Sequence, residues 1–352
     1  MILARAPQTR CNSACDAWGM MPPADGGSAV KSEPFLGPLA RAAVGGDSAS
    51  LTTVLVAFAA NLLVAVAKSL AAVVTGSASL VAEAAHSWAD TGNQVFLLVA
   101  QRRSQRPPDR AHPLGHGREA YVWSLLAALG LFVAGAAVSV THGVQELLHP
   151  VPATDFLVGY VVLAVSFVLE GISFLRSVHQ ARPVAAVMQR DLIGAVMASS
   201  DPTLRAVFAE DSAALIGLVI AAVGLGAHEL TGSATPDAIG SILIGVLLGA
   251  VAAVLIDRNR DFLVGQEANP GLRAAALRAL LAEPEIARVT YLRLEYVEPR
   301  LVSIIADVDL TGDDSESHVA VRLRALEAKI DASPAVAGTV LSLSAPDEPS
   351  LT

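Results

Sequence analysis

Cysteine is nearly absent, with Cys11 and Cys15 the two in a chain of 352 residues. Both fall in a Pro/Gly-rich head with no core to staple, which excludes a disulfide framework and a cysteine-based zinc site. Charged residues make up 16% and aromatic residues 5%, and the charge is well short of what an ordinary soluble domain carries. The net charge of −9 rests largely on acids toward the carboxyl end, Glu283 to Glu316 among them, so no nucleic-acid partner is expected. No G-x-x-x-x-G-K-[ST] loop for ATP and no H-E-x-x-H pair of a metalloprotease occurs. An ATP-driven pump and an intramembrane metalloprotease are thereby set aside, and neither an enzyme nor a cofactor is expected.

What the chain holds in quantity is apolar mass, 53% of its residues, drawn mostly from Ala, Val, Leu and Ile together with Gly. Small side chains of this kind let helices approach closely in lipid. Six stretches reach the ~20 residues that a helix needs to cross a hydrocarbon core, at 51–74, 78–101, 119–140, 155–175, 204–227 and 237–256. Residues 1–50 lack apolar periodicity and are rich in Pro, Gly and Ser, which reads as a disordered cytoplasmic tail. A start at Met20 or Met21 is an equal reading.

Lys and Arg are retained on the cytoplasmic side of a membrane. Here Arg102, Arg103, Arg106, Arg110 and Arg118 lie between the second and third stretches, Arg176, Arg182, Arg190 and Arg205 at the link between the fourth and fifth, and Arg258 and Arg260 after the sixth. The alternate connections carry neither residue, so both termini are expected on the cytoplasmic side. Beyond the six-helix region at 51–257, residues 262–345 take the pattern of a small soluble domain. A helix at 270–281 precedes VTYLRLEYV and LVSIIADVDL, which Glu298, Pro299 and Arg300 separate as in a hairpin. An amphipathic helix at 315–330 and a last strand, TVLSLS from Thr339, complete an α-β-β-α-β order that suits a sheet with helices on one face.

An ionisable side chain at mid-bilayer costs ~2.5–3.5 kcal/mol on insertion scales, so each needs a reason. In the second helix Glu83, His86 and Asp90 stand at i, i+3 and i+7 and share one face. His86 and Asp90, one turn apart, offer a nitrogen and an oxygen to one metal ion, whereas His86 alone would read as a packing residue. In the fifth helix Glu210 and Asp211 are adjacent and diverge by about 100°, so Glu210 shares a site with Asp211 only if the helix rotates or bends. Asp90 and Asp211 lie ~16 Å and ~10 Å from the basic ends of their helices, a mismatch of about one turn. Glu170, near the depth of Asp211, is open as ligand, proton carrier or partner of a loop Arg. Lys68 and Glu83 lie at matching depths and read as an ion pair. Gly245 and Gly249 form a G-x-x-x-G packing face. His142, His149 and His228 sit at helix ends and read as solvated. In the loop PPDRAHPLGHGREA, Asp109, His112 and His116 have spacings of three and four that suit a metal, and equally an ordinary Pro/Gly-rich loop.

Imidazole nitrogen with carboxylate oxygens suits Zn²⁺ and also accepts Mn²⁺, Fe²⁺ or Co²⁺. Metal displaces protons from such ligands. Exchange of a divalent cation against protons follows from that chemistry.

The stretches GSASLVAEAAHSWADTGNQ, HPLGHGRE, LLHP and PDAIGSILIGVLLG, in that order, resemble the signatures of the cation diffusion facilitator family, also called the zinc transporter or solute carrier 30 family. The resemblance spans roughly residues 51–345. It implies six transmembrane helices and a cytoplasmic ferredoxin-like domain through which a homodimer forms. Carried over residue by residue, it implies His86, Asp90 and Asp211 as ligands of the transported ion. The position four before Asp211 holds Val207 where the family has His or Asp, which leaves Glu210, Glu170 or water for the fourth place. That departure, with TLRAVFAEDSAALIG and VLEGIS, resembles the branch of family member nine, described in animals as a mitochondrial zinc transporter. Some bacterial relatives bind a second zinc at the loop, which the match at Asp109, His112 and His116 would reproduce. With His318 the single histidine after His228, a zinc cluster in the carboxyl-terminal domain is not expected, and that domain reads as a dimerisation element. The expected function is a secondary transporter that exports Zn²⁺ from the cytoplasm in exchange for protons, in the cell membrane or, in a eukaryote, an internal one. Transport of another divalent metal, or metal sensing at a membrane, is the alternative.

Overall fold

The computed structural model describes residues 51–351, and the tail expected at 1–50 lies outside them. Long helices dominate: α1 at Leu51–Thr75, α2 at Ala78–Ser104, α3 at Glu119–Leu148, α4 at Phe156–Met188, α6 at Pro202–Thr231 and α7 at Thr235–Val264, with a short α5 at Leu192–Ala198. Their starts are written locally. Ser77 Oγ accepts from Leu80 N at 3.3 Å ahead of α2, and Asp201 Oδ1 accepts from Thr203 N at 2.9 Å ahead of α6, where Pro202 needs no partner for its nitrogen. Gly232, at φ 67°, closes α6 in the left-handed conformation.

Five of the six long helices are long and apolar enough to cross a membrane. The sixth, α2, falls short in hydropathy because its buried face carries Glu83, His86, Ser87, Asp90, Thr91 and Asn93. It is packed against α1, α3, α6 and α7, so the polar face meets protein instead of lipid. By contrast α4 is the most outward, with Leu157, Val161, Val165, Val168 and Leu175 exposed. The membrane core consists of small and aliphatic side chains such as Leu80, Ala213, Leu218, Leu225, Ile244 and Leu248. The expected close packing at Gly245 is present. A Cβ there would lie 3.0 Å from Ala136 O of α3, and at Gly249 it would be an ordinary contact with Ala136 Cβ at 3.9 Å.

Several features differ from the sequence reading: α3 and α7 run on to Leu148 and Val264, past the ends expected at 140 and 256, and α5 is an added short helix. Helix α4 continues to Met188 instead of ending near residue 175. Arg176, His179 and Arg182 end the apolar stretch without ending the helix, since Arg is a good helix former and Pro183 is tolerated within it. Helix α3 contains a π-helical turn at Ala128–Phe132 that no hydropathy pattern announces.

The carboxyl-terminal part is helix α8 (Pro270–Leu281), strands β1 (Ile286–Glu298) and β2 (Leu301–Leu310), helix α9 (Glu316–Asp331) and strand β3 (Val336–Leu343). The sheet runs β1-β2-β3, with β1 antiparallel to β2 and β3 parallel to it. Strand β2 alternates partly and fully buried residues along its length, as a strand with one face on a core must. Val289, Leu294, Ile304, Ala306, Val308, Leu280 and Ile330 fill that core. The hairpin between β1 and β2 reaches the basic end of the helix bundle. Arg300 Nη2 donates to Asp201 Oδ2 at 2.7 Å, and Arg118 Nη2 to Glu295 Oε1 at 3.2 Å. Beneath it, buried Arg205 lies over the Phe262 ring at 4.6 Å and donates to Asn259 Oδ1 at 2.9 Å, and Asn259 donates on to Ser124. The starts of α3 and α6 and the end of α7 are thus tied to one another.

Candidate metal centre

Midway along α2, His86 and Asp90 face the bundle interior. His86 Nε2 stands 3.5 Å from Asp90 Oδ2. Neither ring nitrogen of His86, nor Asp90 Oδ1, has a hydrogen-bond partner among the described residues, although all three are buried. Buried polar atoms are almost always satisfied, so a row of open acceptors and one imidazole on the same face suits an ion that supplies the missing bonds. The π turn of α3 brings Phe132 against the imidazole, ring centroids 6.3 Å apart, which closes one side of it with an apolar wall.

Helix α6 contributes two acids that point apart. Glu210 accepts a hydrogen bond from Asn93 Nδ2 of α2. Asp211 accepts from Ser173 Oγ of α4, at 3.1 Å to each oxygen. The sequence places the two side chains about 100° apart, and in the structure they bond to different helices. The 100° between neighbouring side chains directs Glu210 to α2, the helix of His86 and Asp90, and Asp211 to α4. Glu170, half-buried on α4, completes the set. Asn93 stands three residues after Asp90 on α2 and Ser173 three after Glu170 on α4, so the two hydrogen bonds of α6 link the polar stretches of all three helices. These side chains therefore form one polar interior region, although His86, Asp90 and Asp211 are not drawn into a single tight cluster.

The expected ion pair is present, with Lys68 Nζ donating to Glu83 Oε2 at 2.9 Å and both side chains fully buried. His228, expected to be solvated, is buried instead. Its Nε2 accepts from Ala153 N at 3.3 Å and its ring meets Phe156 edge-on, because the 149–155 connection folds back over the end of α6.

In the loop between α2 and α3, the ligand atoms of Asp109, His112 and His116 all lie within 4.8 Å of one another, the one such group of His, Cys, Asp or Glu among the described residues. Asp109 Oδ1 accepts from His112 N at 2.7 Å and Ala111 N at 2.8 Å. The backbone N–H of His112, more than any other group, holds its carboxyl below the usual carboxylate range. The two imidazole rings are 4.2 Å apart, and His116 Nε2 lies 3.6 Å from Asp109 Oδ2.

Two groups escaped the sequence reading. Asn93 stands at i+3 from Asp90 and i+7 from His86, so extending the same helical face by one turn would have found it. Ser173, three residues after Glu170, carried no signal beyond its position, since serine is common in membrane helices.

A six-helix bundle with acids and a histidine turned inward and a small α/β domain at its basic end has the form of a membrane cation transporter. The model of the cation efflux transmembrane domain matches residues 54–264, and the chain belongs to the cation efflux family, as a multi-pass membrane protein. It is similar to the proton-coupled zinc antiporter SLC30A9, mitochondrial, of Xenopus laevis, at 38% identity over 74% of this chain and 46% of that protein. The human protein of the same name is 36% identical over the same shares. Metal tolerance protein C4 of Arabidopsis thaliana is 36% identical over 66% of this chain and 51% of its own length. The chain thus spans about half the length of these curated relatives.

Proposed function

We propose that this protein carries Zn²⁺ out of the compartment that its basic end faces, in exchange for protons. His86, Asp90 and Asp211 are the ligands, and Glu210 or Glu170 completes the shell that Val207 leaves open. The observation that carries the reading is the buried His86–Asp90 pair with unbonded ring nitrogens inside a membrane helix. The names of the similar proteins support both zinc and proton coupling. Imidazole and carboxylate must be free of protons to hold metal, so metal entering on one side and protons entering on the other compete for the same atoms.

In this reading both termini lie on the cytoplasmic side, or its equivalent in an internal membrane, and the similarity to proteins named mitochondrial favours the latter in a eukaryote. The loop residues Asp109, His112 and His116 form a second metal site, and residues 262–345 hold two copies together as a homodimer.

Flux into proteoliposomes tests the function. Zn²⁺ is expected to enter against an outward proton gradient and to make the lumen less acidic as it does. Zn²⁺ entry with no change in lumenal pH would falsify proton exchange, and faster entry of Mn²⁺, Fe²⁺ or Co²⁺ would reassign the cargo.

A further inference from the structure

Fully buried in the bundle, Lys68 on α1 is held by Glu83 on α2, three residues before His86. A buried ion pair is weak evidence for stability, because desolvation of both charges offsets most of their attraction. Two observations give this one a different meaning. The carboxylate is fixed in place. Gly217 of α6 faces it, and the space a methyl group at Gly217 would occupy is filled by Glu83 Oε1, an oxygen with no hydrogen-bond partner among the described residues. The ammonium, moreover, is held close to the candidate metal centre, since its partner Glu83 lies three residues, about one helical turn, before His86 on the same buried face of α2. Glu83 thus parks a positive charge beside the ion's ligands, in a region whose other ionisable groups are acids and one imidazole.

Glu83, Asp90, Glu210 and Asp211, all buried, and half-buried Glu170 share the bundle with His86, and so many acids drawn together about a divalent ion would hold it tightly in a low-dielectric interior. A transporter has to let its ion go, and affinity differences within one site are mostly differences in release rate. We propose that Lys68 is the residue that keeps this site releasable: its ammonium, positioned by Glu83, repels the bound divalent cation and weakens its hold. This rests on the transport reading above and deepens it, naming a positioning residue that touches no metal.

The inference predicts opposite signs for the two halves of one ion pair. Lys68→Met removes the repulsion, so Zn²⁺ binds about tenfold more tightly while maximal flux in proteoliposomes falls. Glu83→Gln leaves the ammonium without its counter-charge, so Zn²⁺ binds about tenfold more weakly. A pair that only packs α1 against α2 would shift both variants the same way, together with their thermal stability. Should Lys68→Met lose its fold, Lys68→Gln removes the charge and keeps a hydrogen-bond donor for Glu83. Tightened binding in that variant is the expected result.

The experiment is Zn²⁺ calorimetry on the purified full chain, with Asp90→Asn as a control that isolates the membrane site from the loop. Shifts of the same sign at Lys68 and Glu83, or wild-type affinity in both Lys68→Met and Lys68→Gln, would overturn the role given to Lys68. Absence of any Asp90-dependent Zn²⁺ binding in the wild-type chain would instead overturn the metal centre itself, and the inference with it.

Discussion

The loop trio and the membrane set are built in opposite ways from similar side chains. Asp109, His112 and His116 come from one short segment and are preassembled within 4.8 Å, with Asp109 and His112 exposed to water and His116 half-buried. His86, Asp90, Glu210, Asp211 and Glu170 come from three helices and are buried or half-buried, and the two acids of α6 are tied down by separate hydrogen bonds to Asn93 and Ser173. A preassembled site binds its ion without moving anything, and so suits retention. A set dispersed over three helices closes around an ion only if the helices shift, which is what alternating access requires of a site at mid-membrane. Under the proposed function, the difference favours transport by the buried set and a holding role for the loop trio, even though the trio is the better cluster by distance.

The largest effect should come from α2. Asp90→Ala and His86→Ala are each expected to reduce Zn²⁺ flux to the level of empty liposomes, while the detergent-solubilised protein stays folded, because each substitution removes buried polar atoms that lack partners and so offsets part of the packing it loses. Wild-type flux in either variant at saturating metal would reverse the assignment and give transport to another group.

A smaller effect is expected where α6 meets α2. Asn93→Leu removes the hydrogen bond that aims Glu210 at the α2 face, and loss of such an orienting contact typically costs ~10–100-fold in metal affinity. Glu210→Gln should weaken binding more than Glu170→Gln, since Glu210 is buried and held toward α2 by Asn93, whereas Glu170 is half-buried. If calorimetry found the two equal, the shell would be completed by neither alone. An unchanged double variant would leave His86, Asp90 and Asp211 with water as the fourth ligand.

How much of this could be read beforehand follows from which signals are local. The α-β-β-α-β order was legible because strand alternation, the hairpin at Pro299 and helix amphipathicity are all properties of short windows. The Lys68–Glu83 pair was legible because helical rise converts sequence into depth. Depth is all it provides, however. Which of Glu210 and Asp211 turns toward α2 depends on the rotation of α6 about its axis, set by packing against α4 and α7 and by contacts such as Asn93, and hydropathy along one helix is silent on that. The π turn that places Phe132 beside His86, and the fold-back that buries His228, likewise depend on contacts between segments far apart in the chain.

The smallest effect on transport is expected from the loop, where it is also most diagnostic. His112→Ala with His116→Ala removes both imidazoles from the trio and leaves Asp109, a lone exposed carboxylate that its backbone hydrogen bonds keep ionised. One carboxylate does not hold Zn²⁺ firmly, since structural sites use four ligands with nitrogen or sulfur prominent among them. Calorimetry on the double variant should therefore lose one binding event per chain and retain the Asp90-dependent one. Flux at saturating Zn²⁺ should stay within about twofold of wild type, because removing a surface ligand set leaves the buried ligands of the transported ion intact. The two measurements separate the regions cleanly. A flux as low as that of Asp90→Ala would mean that ions reach the membrane site only by way of the loop, and the trio would then be an entry station instead of a holding site. Loss of both binding events together would go further and show that the trio and the buried set are one coupled site, with metal in the loop fixing the end of α2 that carries Arg102 and Arg103.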